Sequence, residues 1–517
     1  MNADVLVIGA GIGGTLAALS AARMGKSVIL TEETDWIGGQ LTAQAVPPDE
    51  HPWIESFGCT ATYRQFRNRL RDYYRTHYPI REEARGDALL NPGSAWVSRL
   101  SHEPKVAKKL LEDMIQPYLS NGQITLLLET KPVSVEVMGD QITSVTVKKK
   151  GKTLDIAGAY VLDATECGDL LPLAGAEYRV GAESKDMTGE PHALDTYRPG
   201  DMQSFTQVFA LQYDPEGSHT IDKPLMYEHW KSYQASFLEH LQLSWDIPDA
   251  DTGKSKRFRM FNDGEELGLW QYRRVIDANL FEEGFFKGDL SLINWPQNDF
   301  WEGAIVDVPE EVRQDRLYQA KQLSLSLLYW LQTEAPRDDG GFGYPGLKLR
   351  PDIVGTEDGI AKHPYIRESR RIEALETVVE QDINADYSPY KGVRKRKNSI
   401  GIGAYRIDLH PTTETNRLFY APSYPFEIPL GALIPKRLKN LIPACKNIGC
   451  THLTNGCMRV HPVEWNIGES AGALAAFAID HKASLLSIHE NADLTWAFQQ
   501  KLEHLGVALH WPEVGIL

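Results

Sequence analysis

The six residues Gly9-Ala10-Gly11-Ile12-Gly13-Gly14 constrain this chain more than any other feature. They follow an apolar run, Val5 to Ile8, and lead into an alanine-rich stretch, about Gly13 to Met24, before a second apolar run, Val28 to Leu30. Strand, glycine turn, helix and strand in that order make a βαβ unit. Within it the G-x-G-x-x-G spacing has a mechanical meaning. Gly9 permits the tight turn, Gly11 lets a pyrophosphate approach the backbone, and Gly14 lets helix and strand pack closely. Unpaired N–H groups at the helix N-terminus then face the anion. The acid that bonds a ribose hydroxyl is due about 20 residues on. Glu32 stands there, at the end of the second run, with Glu33 as its substitute. The expected fold class is therefore α/β, built on a Rossmann-type dinucleotide-binding domain.

A chain of 517 residues exceeds what one core usually supports, so two large domains are expected. Short β-type runs at Ile124 to Leu128, Val133 to Val137 and Ile142 to Val147 suggest a β-meander inserted into the nucleotide domain. Tyr63 to Tyr78, Val106 to Leu119 and Glu310 to Thr333 read as helices, and Asn440 to Ala444 reads as a final strand. Gly468 to Ile479 is a small-residue helix like the first one. The order suggests a nucleotide domain made from residues 1–180 and 421–517, with a mixed α+β substrate or cap domain, 181–420, between them.

The net charge of −16, from 70 acidic and 54 basic residues, disfavours nucleic acid and anionic membranes as partners. Five sparse cysteines suit a reducing cytoplasm. The start shows no export signal, and the greasiest segment, Leu323 to Leu331, falls far short of the roughly 20 residues of a membrane span. A soluble cytoplasmic protein is expected. Only one fingerprint is present, because Gly401-Ile402-Gly403 lacks the third glycine and the preceding apolar strand. Paired Rossmann domains for FAD and NAD(P)H are therefore disfavoured, while the identity of the single nucleotide stays open at this point.

Asp35-Trp36-Ile37-Gly38-Gly39-Gln40, Asp163-Ala164-Thr165, Asn447-Ile448-Gly449 and Gly468-Glu469-Ser470-Ala471-Gly472 give the chain a more specific resemblance. With the fingerprint, they make it similar to the FAD-dependent oxidoreductase family, with glutathione-reductase-like FAD topology, over essentially its whole length. The resemblance implies FAD as cofactor. It places Gly38 and Gly39 beside it, Ala164 and Thr165 on its pyrophosphate or adenosine side, and Gly468 with Glu469 at a helix start facing the flavin pyrimidine. Ile12, Gly13, Gln40 and Val133 complete the implied cofactor set. Two departures stand out: Glu166 follows Ala164-Thr165 where relatives often have glycine, and Glu33 replaces a basic residue often found after the ribose-binding acid.

Cys445, Cys450, His452, Cys457 and His461 are rich in zinc-ligand side chains, but no C-x-x-C pair occurs and no metal is expected. The stretch from His452 to Trp465 lies between a strand and a helix and is expected to line the flavin's reactive face. His452 or His461 is a candidate general base there, since imidazole titrates near neutral pH, and Glu464 and His51 are the next candidates. Arg367, Arg371 and Arg459 are candidates for binding a substrate carboxylate or phosphate. For Arg367 and Arg371 a structural ion-pair network with Glu368 and Glu373 is the plainer reading. The expected function is FAD-dependent oxidation of a small polar alcohol or amine by hydride transfer to flavin N5, with O₂, a quinone or a protein as electron acceptor. The alternatives are a monooxygenase, a flavoprotein whose FAD is structural and whose role is binding, and a nicotinamide-only dehydrogenase.

Overall fold

The computed structural model describes every residue of the chain except 250, 251, 253 and 263–266. The fingerprint forms where expected. Strand β1 (Asn2–Ile8) runs into the turn, helix α1 (Ile12–Arg23) follows, and β2 (Val28–Thr31) returns parallel to β1 with Val5 opposite Val28. Val5 to Ile8 and Val28 to Thr31 are continuous buried runs, as strands covered on both faces must be.

Three further strands continue this parallel sheet. On one side β3 (Ile124–Leu127) pairs with β2, Val28 opposite Ile124. The expectation that Ile124 to Leu128 opens the meander is thus corrected: a short apolar run cannot show which neighbour it will pair with, and this one lies at the edge of the parallel sheet. On the other side, β6 (Lys152–Asp163) pairs with β1, Val5 opposite Tyr160, and the strand Leu441–Pro443 adds to the end of β6. The meander itself is β4 (Thr130–Met138), β5 (Gln141–Lys149) and the first half of β6, all antiparallel. Both chain ends therefore build one sheet, and β1, β6 and Leu441–Pro443 all end on the same side, at Ile8, Asp163 and Pro443.

Two large cores result. The first surrounds α1 and the helix His461–His481, and the segment around Ile400, Leu409 and Phe426 packs into it. The second draws on residues between Cys167 and Ile366, where Phe209, Leu211, Trp295, Leu327 and Leu331 meet. Its sheet orders Arg274–Ile276, Leu290–Ile293, Phe209–Tyr213 and Leu347–Leu349 antiparallel, and Glu310–Thr333 supplies its long helix. No helix among the described residues is long and apolar enough to cross a membrane.

Candidate functional site

The fingerprint glycines leave no room for side chains. Gly9 holds φ at +96°, and a Cβ there would lie 2.3 Å from the Ala164 carbonyl oxygen. A Cβ on Gly14 would lie 1.9 Å from the Gly9 carbonyl oxygen, which is the close helix–strand contact that the spacing implies. Gly38, at φ +103°, donates its N–H to Ala10 O at 2.7 Å, so the Gly38-Gly39 turn closes over the fingerprint. At the end of β2, Glu32 is buried. Its Oε2 accepts the Ala10 N–H at 2.9 Å, and its Oε1 accepts the Thr34 N–H and hydroxyl at 2.9 and 2.8 Å. Burial pushes the Glu32 carboxyl up to about 7.

A cavity of about 430 Å³ extends past Glu32, Gly9, Gly11 and Thr165 to Gln44 and His363. Lys131, Arg313 and Lys362 also line it, and Arg313 Nε is buried with no hydrogen-bond partner. Both polar atoms of the Gln44 amide are likewise buried and unpartnered. Buried donors in that state cost free energy until a ligand meets them. A glycine cleft, an acid at one end and cationic side chains along the wall fit a dinucleotide. Glu166 turns its carboxylate into the cleft: Oε1 lies 2.8 Å from a Cβ position on Gly11 and 2.7 Å from one on Gly39, while Lys446 Nζ holds Oε2. Pro132 marks the meander's end of this cavity, and Val133 beyond it is 38% exposed, its side chain absent from the lining.

The C-terminal expectations need correction. The helix begins at His461, with Pro462 in its first turn, so Gly468 and Glu469 lie well inside it. Pro at the start of a helix was the available signal, and the glycine seven residues later has another purpose. A Cβ on Gly468 would lie 2.1 Å from Gly13 O, and Glu469 is buried, accepting from the Thr62 hydroxyl. At the true helix start stands Glu464, which accepts from Gln40 Nε2 at 2.6 Å and approaches the Gly13 N–H at 3.5 Å. Burial pushes its carboxyl up to about 7.

Of the two histidines of this stretch, His461 is occupied at both nitrogens, whereas His452 has a partner at Nδ1 alone and its Nε2 is buried with no hydrogen-bond partner. His461 Nδ1 accepts the Asp49 N–H at 3.1 Å, Nε2 stands 3.1 Å from Val46 O, and burial pushes the ring down to about 4. A neutral imidazole with both nitrogens on backbone clamps the Pro47-Pro48 loop and has no free site for a substrate proton. His452 sits on the short helix His452–Met458 with Nδ1 on Glu368 at 2.9 Å. Burial would lower it, but Glu368 raises it. His51 bonds Gly58 O at 3.0 Å beside Trp511 and is pushed down to about 4 by burial. Arg371 is fully buried between Glu183 and Glu368, in the ion-pair network that was the plainer reading. Cys445, Cys450 and Cys457 are free and buried, and no group of three or more metal-binding side chains forms among the described residues.

A second, smaller cavity of about 60 Å³ gathers residues that no local pattern connects. Arg367 and Arg459 meet there, joined by Arg273, which the sequence offered no reason to single out. Each has a carboxylate: Arg273 with Asp49 at 3.0 Å, Arg367 with Asp299 at 2.9 Å, Arg459 with Asp408 at 3.4 Å. His410 lines the same cavity, its Nδ1 2.6 Å from Asp299 Oδ2. Burial would raise the Asp299 carboxyl, but Arg367 and His410 hold it down to about 2. Residues adjacent in the chain line the two cavities. Gln207 and Pro364 face the larger one, and Tyr365, next to Pro364, faces the smaller. Gln40, next to Gly39, donates to the Arg459 carbonyl at 2.9 Å.

Comparison with protein-family models matches residues 4–502 to one described as FAD dependent oxidoreductase. Comparison with curated proteins gives no match. Among solved structures, a geranylgeranyl bacteriochlorophyll reductase-like protein from Thermoplasma acidophilum is similar at 10% identity and a TM-score of 0.33, over 98% of this chain and 83% of that one. L-proline dehydrogenase from P. horikoshii is similar at 19% identity and a TM-score of 0.18, over 32% of this chain. The chain spans only 22% of the length of that dehydrogenase and 36% of the flavin-dependent monooxygenase PieE, to which it is 14% identical with a TM-score of 0.26 over 41% of its own length. The family match covers the fingerprint, both cavities and the His461–His481 helix, so the chain belongs to the FAD-dependent oxidoreductase family, with FAD as its cofactor.

Proposed function

We propose that this protein is an FAD-dependent dehydrogenase or oxidase. Its substrate would be a small polar alcohol or amine held in the cavity between Arg273, Arg367 and Arg459. The observation that carries this reading is His410, fixed through Nδ1 by buried Asp299 at that cavity. A carboxylate behind an imidazole selects the tautomer whose Nε2 is free to accept a proton, and stabilises the imidazolium that results. In the proposed step His410 Nε2 takes the proton of the substrate hydroxyl while hydride leaves the adjacent carbon, so the alcohol becomes a carbonyl.

FAD would be held by Gly9, Gly11, Glu32, Gly39 and Thr165, with Lys131 and Arg313 offsetting its pyrophosphate charge. When bound it supplies the two-electron hydride acceptor. Asp299 and Arg367 orient the base, and Arg459, tied to Gln40 and Tyr365, links the substrate cavity to the cofactor turn. The small cavity's wall draws on both cores, with Arg273, Asn294 and Arg367 from the span of the second and Tyr405, Asp408 and Arg459 from that of the first.

The test is anaerobic. Purified protein should be yellow with about one FAD per chain, and some metabolite pool should bleach its flavin absorbance in the dark. With that metabolite, His410→Gln should slow bleaching by about 10² to 10⁴-fold at unchanged FAD content. A flavin that no pool bleaches points to a structural cofactor, and bleaching of His410→Gln at the wild-type rate removes His410 from the role.

A further inference from the structure

Resting on the reading of the small cavity as the substrate site, we infer that its substrate is a neutral polyhydroxylated molecule, of the sugar or cyclitol class, rather than a carboxylate or an amine cation. The argument starts from charge. Three guanidinium groups would ordinarily mark an anion site. Here each is already within 3.4 Å of its own aspartate, so the three positive and three negative charges cancel within the wall. An added carboxylate would enter a buried site as an unpaired charge, and an added ammonium would do the same with opposite sign.

What the wall leaves open is hydrogen-bonding capacity of both kinds. Arg273 Nε, Arg459 Nε and Asn294 Nδ2 are buried donors with no hydrogen-bond partner, and Asp408 Oδ1 is a buried acceptor with none, 3.9 Å from His410 Nε2. All four belong to residues that line this cavity. A carboxylate group alone only accepts and an ammonium group alone only donates, so neither meets both kinds. A hydroxyl both donates and accepts, so a ring carrying several of them can meet donors and acceptors together. Tyr405 and Tyr420 add aromatic surface against which the C–H faces of such a ring can lie.

The experiment reads binding apart from turnover. The holoprotein is titrated anaerobically with myo-inositol, D-glucose and methyl β-D-glucoside, and separately with L-lactate, glycolate and L-proline. Binding is followed by perturbation of the flavin spectrum and by thermal shift. At least one neutral polyol should bind saturably and the carboxylates should not. Asp408→Asn should weaken that polyol about ten-fold or more, by removing a charged acceptor. It should also admit the carboxylates, because Arg459 loses its counter-charge. Tyr405→Leu, which leaves every ion pair in place and removes one aromatic face, should weaken the polyol without admitting carboxylates, and it carries the test if Asp408→Asn does not fold. Carboxylates binding to the wild type, or no polyol binding at all, would overturn the inference. A polyol that binds without bleaching the flavin would count against the proposed oxidation but not against the ligand class. Bleaching by a carboxylate alone would do the reverse.

Discussion

His363 and Glu33 face each other at 2.9 Å on the wall of the FAD cavity. Burial would lower His363, but Glu33 raises it from 6.5 to about 9. Burial would raise Glu33, but His363 lowers it from 4.5 to about 2. A raised histidine contributes stability that is fully present below its unfolded value and is lost as pH rises through its folded value. A lowered carboxylate contributes stability that is lost as pH falls through its folded value. The pair therefore stabilises most between about pH 4.5 and 6.5 and loses its histidine share from pH 6.5 to about 9. Urea unfolding across that range should show a decline in the wild type that His363→Gln flattens, and an equal decline in both would place its source elsewhere. The same chemistry explains why residue type alone misled at His461. Two backbone partners and a buried setting make that imidazole a clamp, whereas His410 bonds Asp299 through Nδ1 alone, with Nε2 3.9 Å from Asp408 Oδ1.

At the scale of elements, α1 and the His461–His481 helix touch through glycine. A Cβ on Gly472 would lie 2.1 Å from Ala17 O, and one on Gly468 would lie as close to Gly13 O. Alanine is the better helix former by about 1 kcal/mol, so an exposed helical glycine usually tolerates the exchange. Here sterics oppose propensity. Overpacking against a backbone that cannot retreat costs about 1–3 kcal/mol or more, and Gly472→Ala should lower the urea midpoint. Gly86, at the end of Glu82–Gly86 with nothing within 4 Å of a Cβ position, is the control that should stay neutral or gain. Unchanged stability in Gly472→Ala would show that the helices can separate without cost. The contact also explains the misplaced helix start, since small residues at 468 to 472 resemble a beginning when only composition is visible.

For the whole molecule, the cavity proposed to hold FAD joins elements from residues 9 to 364, so removal of the cofactor should be felt as a loss of global stability. A ligand that binds only the folded state stabilises it by about 2.7 kcal/mol at a hundred-fold excess over Kd. Apoprotein should therefore melt lower than holoprotein and recover on adding FAD. Glu32→Ala should lower FAD affinity about ten-fold or more, as expected for a hydrogen bond to a charged acceptor, and so shrink that recovery. A full recovery in the variant at limiting FAD would move the ribose contact to Glu33 or the backbone.

By itself the sequence determined the βαβ unit, its glycine turn and the acid at Glu32, because their geometry is written in spacing over some two dozen residues and depends on local backbone sterics. It also marked Gly38-Gly39 and the long Glu310–Thr333 helix, which the structure reproduces residue for residue. Only the tertiary structure decided which side of the sheet Ile124–Leu127 joins, where the His461–His481 helix begins and which side chains meet at the small cavity. Asp49, Arg273, Asp299 and His410 are hundreds of residues apart in places, and each alone reads as an ordinary polar residue. A long-range cluster leaves no periodic trace in the chain. Its charges are brought together, cancelled and desolvated only when two separate cores pack, and that packing gives the small cavity both its neutrality and its unpaired donors.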